Sequence, residues 1–533
     1  MYTYFLNIKK IVVKFAIVSG ALSALIGGVY IFWLYENDLG RMNYRVYYAR
    51  TYIAALGYSL KSTKAYFASM VTHAKSAQVL PLAPEKEHSA QALPVLIYHG
   101  FLQKSDGFNV SVENFIDQMF MLKNAGWQTV TLADMAQFIQ GKKELPDKSF
   151  VLTFDDGRRD SYYPADPILR VLGYNAVMFV ITGLSFQDTD KKNPFYLSEE
   201  ELKEMKQSGR WDLQSHGKND HVFYPVDSHG NKGHFLSNKL WRAEENRLET
   251  EAEFEQRIQD DLIHAKDDLE KRFGTKIINF AYPFGDFGQN SINFPESKPI
   301  IANTVSSLYS FAFYQIWRGG GFSYNYPREN TFMIKRITVE PEWNGKELLN
   351  ILEGGKPKEL PYYDAFARDR GWAKSWGKSR FENQSLIIEA DDTSEGASIF
   401  LDGSYDWRDY DMSAKVRVVK GQSFSVIARY KDKNNYAFCT FTPVFARIEE
   451  VVNGEHAVLA EEKGHFLNLE KDSDIQITVN QDKINCASDG LTPFAKALFM
   501  DTSLDSGGIG FKTWDPAIHN HTLIIKEVRV NPS

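Results

Sequence analysis

From residue 93 the chain alternates short apolar runs with longer segments of helical period. Residues 94–98 read as an apolar strand, and residues 112–125 place Phe115, Met119, Met121 and Leu122 on one helical face. The strand pattern returns at 129–132, 149–154, 176–181, 211–214 and 277–281, with helical stretches at 133–140, 160–172 and 251–272 between them. Ser198 with Glu201, and Thr250 with Glu253, form capping-box pairs ahead of two helices. Alternation of this kind predicts parallel βαβ units closed into a distorted (β/α) barrel, an α/β fold. Residues 222–248 have no period and are rich in His, Asn, Gly and aromatics, which predicts a functional loop or lid. After about residue 370 the period shifts to two. Short alternating strands at 385–389, 411–419, 423–430, 437–442, 475–479, 508–514 and 523–530 predict a C-terminal all-β sandwich.

Ahead of the barrel, residues 15–35 form an uncharged, mostly apolar run long enough to cross a bilayer as a helix. Lys9, Lys10 and Lys14 precede it, and Glu36 and Asp38 follow, which puts the N-terminus in the cytoplasm and the rest outside. Tyr30, Phe32, Trp33 and Tyr35 form an aromatic belt at its far end. A cleaved signal peptide is the competing reading; the length of the run and the lack of a small-x-small cleavage site favour an N-terminal transmembrane anchor. The expected domains are a cytoplasmic tip and anchor (1–35), a stalk and linker (36–92), the barrel (93–355) and the sandwich (370–533). The location that follows is a single-pass membrane protein whose larger part is periplasmic or extracellular.

A net charge of −7 over 533 residues offers no basic domain, so nucleic acid is not an expected partner. The two cysteines, Cys439 and Cys486, fall in strand-like segments of the sandwich. An exported location permits them to pair, two inert buried thiols remain open, and there is no Cys-based metal site.

Candidate chemistry lies where barrel strands end. The run Phe150–Val151–Leu152–Thr153–Phe154 delivers Asp155, Asp156 and Gly157, and strand ends are where α/β folds place active groups. Two later runs end in Ser215–His216 with His221 five positions on, and in Ala281–Tyr282–Pro283–Phe284–Gly285–Asp286. Five residues is wrong for one helical face, but a loop can bend both imidazoles onto one ion. Asp156, His216 and His221 offer three N/O ligands and one open position, the catalytic zinc pattern. The Pro–Phe–Gly turn can present backbone N–H groups to an oxyanion.

In this order the three segments resemble the polysaccharide deacetylase family (carbohydrate esterase family 4, the NodB-homology domain) over residues 93–355. The five-residue histidine spacing and Pro94–Val95–Leu96–Ile97–Tyr98–His99–Gly100 are closest to the branch acting on poly-β-1,6-N-acetylglucosamine. The resemblance implies a metal-dependent N-deacetylase of an extracytoplasmic N-acetylglucosamine polymer. Asp155 is then the general base, and Asp156, His216 and His221 hold a divalent metal, zinc first, with cobalt, nickel or iron as alternatives. The N–H of Phe284 faces the oxyanion, and His99, Tyr282, Arg318 and Arg336 meet substrate or orient Asp155. Ala281 stands where the family carries an arginine, and the stretch 333–339 lacks the family's late catalytic histidine. His99, His229 and His234 are the remaining candidates for the acid. The sandwich resembles concanavalin-like or carbohydrate-binding modules in pattern, with Trp407, Tyr410 and Trp514 as possible stacking residues. Other readings are a membrane-anchored glycan-binding protein without catalysis, a peptidoglycan N-deacetylase, and a glycosidase. The last needs carboxylates set apart across a cleft, which adjacent Asp155 and Asp156 do not offer.

Overall fold

The computed structural model describes residues 44, 48–60, 89–102, 104–187, 195–392, 394–514 and 520–533. The apolar run 15–35 lies outside these residues; among the described ones, no helix is long and apolar enough to cross a membrane.

Seven strands form the barrel: β1 (Val95–Tyr98), β2 (Ser149–Phe154), β3 (Ala176–Val180), β4 (Trp211–Ser215), β5 (Asn279–Ala281), β6 (Phe311–Ile316) and β7 (Met333–Thr338). Their order is β1-β7-β6-β5-β4-β3-β2, and β2 pairs back onto β1, so the ring closes with every pairing parallel. The first strand is thus wedged between the last and the one that carries the paired acids. Buried on both sides, β1, β2 and β3 read as continuous apolar runs because helices cover one face and the barrel interior the other. Helices Val112–Asn124, Arg159–Leu172, Glu251–Phe273 and Gly345–Gly355 form the outer layer. The capping boxes at Ser198 and Thr250 form as the sequence predicts. Of the expected stalk, Tyr44 and residues 48–60 are described. They pack on the barrel: Tyr44 stacks on Tyr163 at 5.4 Å, and Tyr48 donates to Asp166 at 2.8 Å.

The sandwich has two antiparallel sheets. One is the seven-stranded sheet β8 (Trp372–Trp376), β9 (Gly396–Leu401), β10 (Phe424–Asp432), β11 (Asn435–Phe441), β12 (Phe445–Val452), β13 (Glu455–Lys463) and β14 (Gly508–Trp514), in the order β8-β9-β14-β10-β11-β12-β13. The other is centred on Thr522–Pro532 and Tyr410–Lys420. Cys439 on β11 is disulfide-bonded to Cys486 on the opposite sheet, which settles the open alternative in favour of pairing. Barrel and sandwich meet through polar and apolar contacts: Ser323 N–H donates to Asp402 at 3.2 Å, and Phe322 packs with Phe400 and Tyr430.

Two expected stacking residues belong to the sandwich interior. Trp407 is buried, its Nε1 donating to Lys358 O at 2.6 Å, and Tyr410 is fully buried with its hydroxyl accepting from Arg429 N–H. Tyr410 opens the strand Tyr410–Lys420, whose alternation turns it to the core, and Trp407 folds inward from the loop just before that strand. Trp514 remains on the surface.

Candidate active site

The acids stand where β2 ends. Asp156 and Gly157 adopt φ of 72° and 68°, two left-handed residues in succession that turn the chain sharply just past Asp155. Asp155 is 0% exposed, and Arg336 of β7 grips it with two donors, Nη1 to Oδ1 at 2.6 Å and Nη2 to Oδ2 at 2.8 Å. Burial alone would raise the Asp155 pKa, but the Arg336 charge overrides it and holds the carboxyl down at about 2. Asp156 goes the other way: burial raises it, and the charge of Asp155 adds to the rise against the pull of His221. Arg158 Nη1 lies 3.8 Å from Asp156 Oδ2. Sequence reading missed this second cation, although it sits two residues along in the same motif.

Both histidines are aimed from behind. His216, just past β4, meets Ala281 O through Nδ1 at 2.7 Å; its Nε2 lies 3.4 Å from Asp155 and 3.6 Å from Asp156. His221 meets Asp220 through Nδ1 at 2.9 Å, and its Nε2 lies 3.9 Å from Asp156. The loop between them reaches its shape through Gly217, at φ 76°, where any Cβ would strike the Asp220 carboxylate. Asp261 of the helix Glu251–Phe273 pins the same loop by accepting from the N–H groups of Lys218 and Asn219 at 2.9 and 2.8 Å.

Asp156, His216 and His221 have ligand atoms that all lie within 4.8 Å of one another. The donor set fits a divalent metal. His221 Nε2 is buried with no hydrogen-bond partner, and burial keeps His216 (down to about 3) and His221 below the usual imidazole value, so both are neutral donors. An Nδ1 engaged behind an inward Nε2 is the usual support for a metal-ligating histidine.

The third motif turns at Phe284, φ 57°, leaving its ring 40% exposed above the site. His234, from the hairpin Phe223–Pro225/Lys232–His234, stacks on that ring at 4.7 Å and meets Asp286 through Nδ1 at 2.5 Å. The aperiodic stretch 222–248 therefore contributes small hairpins, one of which borders the site. His229 is exposed at the turn of that hairpin. His99 follows β1 beside Asp155, whose N–H donates to Tyr98 O at 3.2 Å; burial lowers it to about 4 against the pull of Asp155.

Three expected substrate contacts fall elsewhere. Tyr282 is fully buried, packed on Phe280 and Phe287, because a residue at that strand end points into the core. Arg318 pairs with Asp369 at 2.7 Å at the junction with the sandwich. Arg336 is fully buried with both Nη groups on Asp155, so of its two expected roles only the orienting one fits.

Site and barrel define a hydrolase arrangement with a candidate metal site, and the resemblance to the polysaccharide deacetylases holds: residues 142–298 match the family described as Polysaccharide deacetylase. Among individual proteins, the chain is similar to the poly-beta-1,6-N-acetyl-D-glucosamine N-deacetylase of Escherichia coli K12, 27% identical over 34% of this chain and 28% of that protein. It is also similar to the enzyme of that name from Staphylococcus aureus MRSA252, 29% identical over 33% of this chain and 54% of that one. The chain thus spans between about a quarter and about half the length of these curated relatives. A solved de-N-acetylase from Aggregatibacter actinomycetemcomitans aligns over 49% of this chain and 99% of its own, at 22% identity and a TM-score of 0.41. The carbohydrate binding module CBM66 from Bacillus subtilis aligns over 30% of this chain and 95% of its own, at 16% identity and a TM-score of 0.26.

Proposed function

We propose that the barrel removes N-acetyl groups from an N-acetylglucosamine polymer, with a divalent metal held by Asp156, His216 and His221. The observation that carries this reading is the convergence of those three ligands beside a buried carboxylate locked by Arg336. The substrate in these relatives' names, poly-beta-1,6-N-acetyl-D-glucosamine, supports the choice of polymer. When bound, the metal supplies Lewis acidity, polarising the acetamide carbonyl and acidifying a water.

The chain's own groups do the rest. Asp155, with a pKa of about 2, is ionised at any working pH and takes a proton only from a strongly acidified water. Arg336 keeps its oxygens fixed while it does so. His99, neutral at rest and beside Asp155, is assigned the relay to the leaving amine: the proton that Asp155 takes from the water passes to His99, and His99 gives it to the amine nitrogen as the C–N bond breaks. His229 is too exposed for that role, and the Nδ1 of His234 is taken by Asp286. The backbone N–H of Phe284 is assigned to the oxyanion, with the rings of Phe284 and His234 forming the sugar-facing rim.

We place this chemistry outside the cytoplasm, tethered by residues 15–35. The Cys439–Cys486 bond supports an oxidising compartment. The test is acetate release from β-1,4- and β-1,6-linked N-acetylglucosamine oligomers and from peptidoglycan, with zinc, cobalt or nickel added to chelated protein. Metal-dependent release abolished by Asp156→Ala is expected; release that survives that change, or none with any metal, removes the reading.

A further inference from the structure

The outer face of the β8–β14 sheet is divided. Next to the barrel it is covered, with Phe322 packed among Phe400, Ile427, Tyr430 and Phe438. Beyond Phe438 it opens into a cavity of about 560 Å³. Strand register builds the floor. Lys512 of β14 lies opposite Ser425 of β10, Ser425 opposite Thr440 of β11, and Thr440 opposite Arg447 of β12.

A polar row on the outside of an antiparallel sheet is ordinarily its solvated face. Three observations set this row apart. First, it is recessed: Glu449 is only 5% exposed, and Ser425 and Phe438 are buried. Second, its acid is fully engaged. Ser425 Oγ lies 2.9 Å from Thr440 Oγ1, Thr440 donates to Glu449 Oε2 at 2.5 Å, and His456 Nε2 meets Glu449 Oε1 at 3.0 Å. Its base is not: among the described residues Lys512 has no ion-pair partner, and its ammonium lies 5.2 Å from the ring centre of Phe438 and 6.0 Å from that of Tyr436. Third, Trp514 stands at the rim 51% exposed, its Nε1 held by Glu395 at 3.1 Å.

An open indole face beside recessed donors and acceptors is chemistry that suits a pyranose ring, and the volume lies in the small-ligand range of roughly 300–1,000 Å³. Charge then selects among sugars. An N-acetylglucosamine unit is neutral and offers an amide carbonyl to the ammonium of Lys512, which Glu449 attracts without an ion-pair contact. A glucosamine unit carries an ammonium of its own and meets Lys512 as a like charge. We infer that this cavity binds neutral N-acetylated units of the polymer that the barrel deacetylates, and disfavours the deacetylated product, keeping the enzyme on unprocessed chain. The identity of the polymer rests on the deacetylase reading above.

The test uses the full chain carrying Asp156→Ala, so that ligand is not consumed, titrated with fully acetylated and fully deacetylated glucosamine hexamers of both linkages. Acetylated hexamers are expected to bind more tightly. Trp514→Ala in that background should weaken them about tenfold, and Trp514→Phe should retain most of the affinity. Lys512→Met, which keeps the packing on Phe438, should narrow the preference by raising affinity for deacetylated hexamers. Binding indifferent to Trp514→Ala, or equal affinity for both hexamers in the chain with Lys512 intact, overturns the inference. Acetate release by the chain with Asp156 restored is scored separately. If none occurs but binding still depends on Trp514, the cavity stands and the barrel reading falls. If release occurs and binding ignores Trp514, only the cavity falls.

Discussion

Barrel and sandwich handle charge in opposite ways. In the barrel, Asp155 and Arg336 are both fully buried and answer each other, with His216 buried beside them. Between the sandwich sheets lie side chains such as Ile399, Val426, Ile477 and Phe511, and the buried Arg429 is met by the main-chain carbonyls of Asp505 and Gln481 and by half-exposed Asp409. The difference follows from strand direction. Parallel strands all end at one rim, so side chains from β2, β4 and β7 converge there. Antiparallel strands alternate, which sends apolar residues inward and leaves binding chemistry to an outer face.

The hardest test of this contrast is Arg336→Met. It strands Asp155 as a buried charge, so acetate release should disappear and the barrel should lose about 3–5 kcal/mol of stability, read by chemical denaturation, while oligomer binding at Trp514 persists. Asp155 has a folded pKa of about 2, below its unfolded value of about 3.9. The stability from this pair is therefore present above about pH 4 and lost as pH falls toward 2. The variant should lack that acid-side loss. Next in size is the double change Cys439→Ser, Cys486→Ser, which opens a loop of sequence separation 47. It should cost the sandwich about 2–4 kcal/mol and leave barrel acetate release unchanged; a parallel loss of barrel activity would mean that the two halves do not behave independently.

Smaller is the effect of Asp261. Burial, then the charge of Asp220, raises its carboxyl to about 7, whereas the unfolded group titrates near about 3.9. The folded chain thus holds this proton longer, and stability falls as pH rises from about 4 to 7. In chelated protein Asp261→Asn should remove that decline, worth on the order of 1 kcal/mol or more. A melt series against pH that shows the same slope in both proteins would refute it. Smallest is His234→Ala, which should raise KM for oligomers about threefold to tenfold with little change in kcat. A collapse of kcat would instead make His234, and not His99, the proton donor.

Much of the barrel was legible because parallel strands buried on both faces leave apolar runs, and because Asp155 and His216 directly follow strand ends, with Phe284 three residues past another. Partnerships across the ring came only through the family resemblance, which offered Arg336 as a residue orienting Asp155; nothing local to Arg336 says that it lies on Asp155, 181 residues away. In the sandwich, alternation located the strands but not which of their two faces was core. Tyr410 was therefore expected at a surface that it does not occupy, as was Trp407 in the loop before its strand, and the row from Lys512 to Arg447 became visible only once four strands were in register.

The wedging of β1 between β2 and β7 has a consequence for how the protein is made. A ribosome releases Asp155 long before it releases Arg336. Through that interval the nascent chain carries an acid destined for burial with no countercharge, so the ring cannot shut around it. Assembly of the hydrolytic centre becomes the closing act of barrel synthesis, and a chain halted at residue 330 should emerge open, protease-sensitive and inert.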